Sequence, residues 1–414
     1  VSRIAVVGGG ISGLGAAWLL ARQHDVLLFE REPRLGGHTH THRVDTPDGP
    51  LAVDTGFIVY NDRTYPLLVR LFDEIGLARI DSDMSFGVSD TATGFEYSTR
   101  TLGSLFADRR TLVRPAHYRF LLEILRFNRT ARRALGAPDV ETWTLGDFCA
   151  RHQFDGVVLD RYIAPLACAI WSASPTAIRA FPFATLARFF ENHGMLDTLD
   201  HPTWKVVCGG SATYIPSLVA SPRIAVHVAS APVAVVRTAG GARLSFEDRP
   251  PIDVEAVVFA CHGDEVLPIL ADASALERSV LSAFGTTANR AVLHTDASFL
   301  PRRVAARAAW NYQIGAGTGA TLTYDMNRLQ RLKTTRQYCV TLNPTRPIAP
   351  SRVLAEIDYT HPLYTAAAVR AQARWAEISG RHRTHYCGAY WFYGFHEDGF
   401  RSAVRVAHAL GVTW

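Results

Sequence analysis

An α/β fold with two interleaved domains is what this sequence predicts, and three observations predict it. An apolar strand runs into a glycine-rich turn, a helix and a second strand that stops on an acid. A long middle stretch then switches to helical periodicity, and strand and glycine signals return before a closing helix. With 414 residues, 48% hydrophobic and 20% charged, the chain has a globular composition and length enough for a large core. Disordered and collagen-like classes are excluded.

Ile4–Val7 is apolar throughout, as a strand covered on both faces of a parallel sheet must be. It enters Gly8-Gly9-Gly10-Ile11-Ser12-Gly13, which fits G-x-G-x-x-G at Gly8, Gly10 and Gly13. Leu14, Ala17, Trp18 and Ala21 follow at helical spacing, and Val26–Phe29 forms a second strand that ends on Glu30. This is one β-α-β unit of the Rossmann-like, dinucleotide-binding kind. Gly8 allows the tight turn, Gly10 lets the backbone approach a pyrophosphate, and Gly13 lets the helix pack on the strand. Ile11 and Ser12 open a helix whose unbonded N–H groups face the phosphates. Glu30, with Arg31 beside it, is placed to accept the ribose hydroxyls, and its charge disfavours a 2′-phosphate.

Gly36-Gly37 completes E-x-x-x-x-x-G-G after Glu30. This extension resembles the amine-oxidase-like superfamily of FAD-dependent oxidoreductases, which includes monoamine oxidases, phytoene desaturases and protoporphyrinogen oxidases. The resemblance implies FAD, held by a Rossmann-like domain of the amine-oxidase type with an interleaved α+β substrate domain. It implies an FAD-binding domain of residues 1–75, 205–262 and 381–414 and a substrate domain of 76–204 and 263–380. It places Gly36, Gly37 and His38 near the ribityl and pyrophosphate region. Thr55 and Gly56 fall in a D-x-G segment near the flavin, Val233 meets adenine through its backbone, and Ala260 ends a return strand. Gly388 precedes a helix aimed at the isoalloxazine, whose start carries His396, Glu397, Asp398 and Gly399; Asp398 and Gly399 are expected to offer N–H groups there. More closely, DTGFIVYNDRTYP, FPFATLARFFENHG and YCGAYWFYGFHEDGFRS resemble a bacterial subfamily of predicted NAD/FAD-binding proteins. That subfamily is similar to the N-terminal region of plant cyclopropane fatty acid synthases.

The reaction expected from this resemblance is hydride removal from an apolar, fatty-acyl lipid substrate to flavin N5. The alternatives are a redox-neutral double-bond isomerase and an FAD-bearing partner of a lipid-modifying methyltransferase. Amine oxidases carry a lysine near flavin N5; here the best match is Arg290, which argues against simple amine oxidation. No catalytic residue is assigned. His38, His40 and His42 would share one face of a strand, but no Cys or carboxylate completes a ligand set, and no metal is expected. Trp171, Trp310, Asn311 and Tyr312 are read as candidate tunnel residues, and Tyr390–Tyr393 as a wall of the flavin pocket. Gly315–Gly319 is read as a hairpin, since no buried strand–turn–helix unit surrounds it.

The net charge of +5 comes almost wholly from arginine, without the basic, aromatic-interleaved patch of a nucleic-acid protein. Arg109–Arg133 mixes arginines with apolar residues, a pattern that suits peripheral contact with a membrane surface. Six cysteines without a C-x-x-C pair suggest reduced thiols. No secretory leader is read at Val1-Ser2-Arg3, so a soluble, cytoplasmic protein is expected.

Overall fold

The computed structural model describes every residue except 48, 155, 172–174, 198–200 and 316–319; the side chains of 175, 176 and 320 also lie outside the description. At its centre is a parallel sheet in the order Ile224–His227, Asp25–Phe29, Arg3–Val7, Ala256–Phe259, Thr384–Tyr386. The alternation of side chains along each strand divides its residues between two cores. Ile4, Val6, Val26, Leu28 and Val258 face the helices Ile11–Leu20 and His396–Ala409, meeting Leu14, Ala17 and Phe400. Ala5, Val7, Phe29, Val257 and Phe259 face the other way, against Val235, Leu244 and Leu281. Val235 and Leu244 come from a three-stranded antiparallel sheet, Ala234–Thr238, Gly241–Ser245 and Ile252–Val254, laid over that side.

The opening and closing helices lie side by side, and Gly15 is what lets them: a Cβ there would stand 2.6 Å from the Phe400 ring. Gly399 serves the same crossing from the other side, where a Cβ would meet Ile11 Cγ2 at 2.7 Å.

A second sheet runs Val353–Pro362, Thr286–His294, Cys339–Leu342, Ala320–Asp325, Trp310–Ile314, Phe86–Asp90, Phe95–Ser98. It is antiparallel except where Trp310–Ile314 pairs with Phe86–Asp90. Helices Pro115–Ala134, Leu145–Arg151, Ala164–Trp171 and Phe183–Asn192 pack with it around a third core that includes Phe120, Phe127, Phe148 and Phe183. The helical middle of the chain thus follows the sequence periodicity. The strands on either side of Gly315–Gly319 pair antiparallel, as in a hairpin, while residues 316–319 themselves lie outside the described set. Between the sheets, Trp204–Val207 pairs with both Val59–Asn61 and Arg79–Asp81, so the chain crosses from one unit to the other as a paired strand.

Candidate functional site

A cavity of about 1210 Å³ opens at the carboxyl ends of the parallel strands, where ligands bind in open α/β sheets. It is larger than the roughly 300–1,000 Å³ of a single small-molecule pocket. Gly8, Gly10, Ile11, Ser12, Glu30, Arg31, Gly36, Gly37, His38, Thr55, Gly56, Val233, Ala260, Gly388 and His396 all line it. Gly13 lies just beneath.

The glycines of the turn have different jobs. Gly8 has φ +114°, and a Cβ there would meet the Ala260 backbone at 2.7 Å. Gly13 touches Gly8 so closely that a Cβ would sit 1.7 Å from its carbonyl oxygen. Gly10 is unlike both. Its backbone is extended (φ −75°, ψ −176°), open to any residue, and no protein atom lies within 4 Å of where a Cβ would project. Folding does not require glycine here; a group seated against that backbone would. The first helical bond runs from Leu14 N–H to Gly10 O, leaving the preceding amides at the positive end of the helix dipole. The residues therefore fit a cofactor with a diphosphate.

Glu30 is held over the turn by N–H donors from Gly9 (2.6 Å) and Glu32 (2.8 Å), leaving lone pairs for a further donor. Arg31 is mostly exposed and ion-paired to Glu265 at 3.0 Å, at the mouth beside Val233. The Val233 N–H donates to Ser245 O at 2.8 Å, so its carbonyl is the group left to face a base. Gly36 N–H donates to Gly9 O at 2.8 Å, which joins the second glycine pair to the first turn.

Thr55 and Gly56 rest on a buried anchor. Asp54 is fully buried and accepts from Thr41 Oγ1 (2.5 Å), Ser211 N–H (3.0 Å), Ser211 Oγ (2.9 Å) and Gln330 Nε2 (2.8 Å). Burial pushes its carboxyl up to about 6, against the pull of the Thr41 and Ser211 bonds. Asp54→Asn would turn one acceptor into a donor among these donors. A loss of about 2 kcal/mol is expected, read from urea unfolding; a stability within about 0.5 kcal/mol of the parent would show that the anchor is dispensable.

The closing helix departs from expectation in a specific way. His396 lines the cavity, stacked on Phe57 at 3.6 Å and bonded to Thr39 Oγ1 at 2.8 Å, which in turn meets Tyr214 OH at 2.5 Å. Burial brings its imidazole down to about 3, so it is neutral. Glu397 and Asp398 turn away. Glu397 accepts the N–H groups of Leu67 (3.1 Å) and Leu68 (2.9 Å), capping the helix Pro66–Glu74, and Asp398 caps its own helix through Phe395 N–H (3.1 Å). The Gly399 N–H is spent on Phe395 O at 2.9 Å, and its Cα lies at the helix crossing rather than at the cavity. Of the four residues named there, only His396 lines the cavity.

Other expectations divide similarly. Trp171 and Trp310 line the cavity, but Asn311 is tied to the backbone of Ala308 and Thr323, and Tyr312 lies in the core. Tyr390 and Tyr393 border the cavity, while Trp391 is buried behind the parallel sheet. Arg290 does not reach it at all, being exposed and bonded to Glu356. The three alternating histidines also separate: the His40 and His42 rings lie 4.0 Å apart, tilted by 35°, but His38 lies among Tyr359 (5.0 Å), His361 (5.0 Å) and His262 (6.2 Å). His262 and His361 belong to the cavity wall; both are far from His38 in sequence and carry no motif that could have announced them.

On the side of the third core the cavity is lined by Met84, Phe86, Leu166, Ala169, Ile170, Trp171, Met195, Trp310 and Leu342. Its charged lining residues are Glu30, Arg31, Glu32, Arg34, Asp264 and Glu265, together with Glu356 and Asp358 on the strand Val353–Pro362.

Fold and site together define a Rossmann-like protein of amine-oxidase-like architecture. Residues 6–75 match the family model of a NAD(P)-binding Rossmann-like domain. The flavin-containing amine oxidase A of Canis lupus familiaris is 45% identical over 75 residues, 18% of this chain and 14% of that protein. Protoporphyrinogen oxidase of Schizosaccharomyces pombe is 25% identical over 215 residues, 46% of this chain and 41% of that one. The chain thus matches less than half the length of these relatives. In structure it shares the fold of cyclohexylamine oxidase from Brevibacterium oxydans IH-35A, with TM-score 0.71, 15% identity and 99% of both chains covered. The CLA-producing fatty acid isomerase from P. acnes superposes with TM-score 0.67, 15% identity and 97% of both chains covered.

Proposed function

We propose that the chain is an FAD-dependent oxidoreductase acting on a C–H bond of an apolar, fatty-acyl substrate. The observation that carries this reading is one cavity lined both by the glycine-rich turn and by apolar residues of the third core. When bound, FAD supplies a two-electron acceptor for hydride, chemistry no side chain offers. The chain's own groups bind and orient. Gly8–Gly10 and the start of the Ile11–Leu20 helix hold the diphosphate, Glu30 holds the ribose, and the Val233 carbonyl faces the base. His396 contributes a neutral imidazole at a helix N-terminus, fixed by Phe57 and Thr39, where the dipole favours negative charge. The apolar lining on the side of the third core accommodates hydrocarbon, which supports an acyl chain over a charged amine.

The purified chain is expected to show visible flavin absorption. Anaerobic mixing with oleic acid, or with dioleoyl phosphatidylglycerol in detergent, is expected to bleach that absorption lastingly. Transient bleaching would assign isomerisation instead, and unchanged absorption a carrier role beside a lipid-modifying enzyme. Protein that is colourless and stays so after incubation with FAD would overturn the reading.

A further inference from the structure

The helix Pro115–Ala134 and the turn before it make a surface that the proposed chemistry does not use. Phe120, Phe127 and Ala131 are buried in the third core. The opposite face carries Tyr118, Leu122 and Leu125 at four- and three-residue spacing, followed on the same line by Arg129 and Arg132. Leu122 is 65% exposed, and the turn adds Leu112 and Val113, the latter 84% exposed. Tyr118 OH donates to Leu112 O at 2.8 Å, which joins the turn and the helix into one face.

Charge sets this face apart from an ordinary solvated one. Between Arg109 and Ala134 there are eight arginines and one acid, Glu123, which is already paired with Arg126. Among the described residues, no carboxylate pairs with Arg109, Arg114, Arg119, Arg129 or Arg133. Exposed leucines ringed by unpaired arginines are poorly matched to water but complementary to an anionic bilayer, where side chains enter the headgroup boundary while guanidinium groups stay at the phosphates.

We infer that this face docks the protein on anionic phospholipid membrane, with Leu112, Val113, Leu122 and Leu125 inserted and Arg114, Arg119 and Arg129 at the headgroups. No helix among the described residues is long and apolar enough to cross a membrane, so the contact is peripheral. The inference stands on surface chemistry and does not rest on the identity of the cofactor or reaction.

The test is co-sedimentation of the full chain with vesicles of phosphatidylglycerol and phosphatidylcholine, against phosphatidylcholine alone. Binding is expected to the anionic vesicles only, and to weaken with salt. Each arginine contributes roughly fivefold at an anionic surface, so the R114Q/R119Q/R129Q variant should lose about a hundredfold in partition. Leu122→Asp should weaken binding independently. Both changes are on exposed positions, and circular dichroism of the variants will match the parent. No binding at low salt, equal binding to neutral vesicles, or binding unmoved by both variants would overturn the inference. So would a stable dimer in light scattering that Leu122→Asp disperses, because the face would then belong to a second copy.

Discussion

Gly10→Val is expected to give a protein that folds as the parent does but purifies without flavin. A Cβ here meets no neighbouring part of the protein within 4 Å, and the backbone angles are ordinary for valine. It projects instead into the space where the turn would receive a diphosphate. Losing two charge-assisted N–H bonds to phosphate costs about 3–6 kcal/mol, at least a hundredfold in affinity. Gly13→Ala is the contrasting variant: its Cβ would press on the Gly8 carbonyl, so it should lower the melting temperature of cofactor-free protein as well. Absorption spectra and thermal melts of both, with and without added FAD, separate the two effects. A Gly10→Val protein that retains its flavin would remove the diphosphate from this turn.

The second large effect is loss of stability in mild acid. Six histidines lie well below the ordinary value of about 6.5, chiefly because burial disfavours their charged forms. His396 falls to about 3, and His40, His193, His294, His361 and His385 to about 4. His294 is further committed to neutrality by accepting Asp296 N–H on Nδ1 at 3.1 Å. Below about pH 6.5 these imidazoles protonate in the unfolded chain and not in the folded one, so stability falls with pH. Asp54, up to about 6, and Asp398, up to about 7, act in the opposite sense, since the folded state holds their protons. The imidazoles outnumber these two carboxyls, so the unfolded chain carries the more protons and stability falls as the pH is lowered. The fall spans about pH 6.5 to 4, from the ordinary imidazole value to those of the folded protein. Urea midpoints followed by tryptophan fluorescence should fall steeply across that window; a flat profile would mean these imidazoles are hydrated in the folded state.

How much of this the sequence discloses depends on how local the geometry is. The unit from Arg3 to Gly37 is legible because strand, turn, helix and acid are fixed by short-range rules, and the observed bounds differ from the pattern by a residue or so. The closing helix is legible as an element but not in its facing. Each residue rotates about 100° around the axis, so His396 meets the cavity while Glu397, its neighbour, caps a different helix. Val233, named from the amine-oxidase-like pattern, lines the cavity, but the pattern cannot say that Ser245 already holds its N–H. The partners of His38 and Asp54 are hidden for a related reason. His262, His361, Ser211 and Gln330 are brought in by sheet packing over long sequence separations, and no spacing rule connects them.

The side-by-side pairing of the Ile11–Leu20 and His396–Ala409 helices has a consequence for biosynthesis. The Cys387 thiol, in the strand end just before the last helix, meets the Ser12 carbonyl across 375 residues of chain. At about 5–20 residues per second, a ribosome needs roughly 20–75 s to deliver the one after the other. For that time the nascent chain presents Leu14, Ala17 and their neighbours without the closing helix that covers them, an apolar surface open until His396–Ala409 is made.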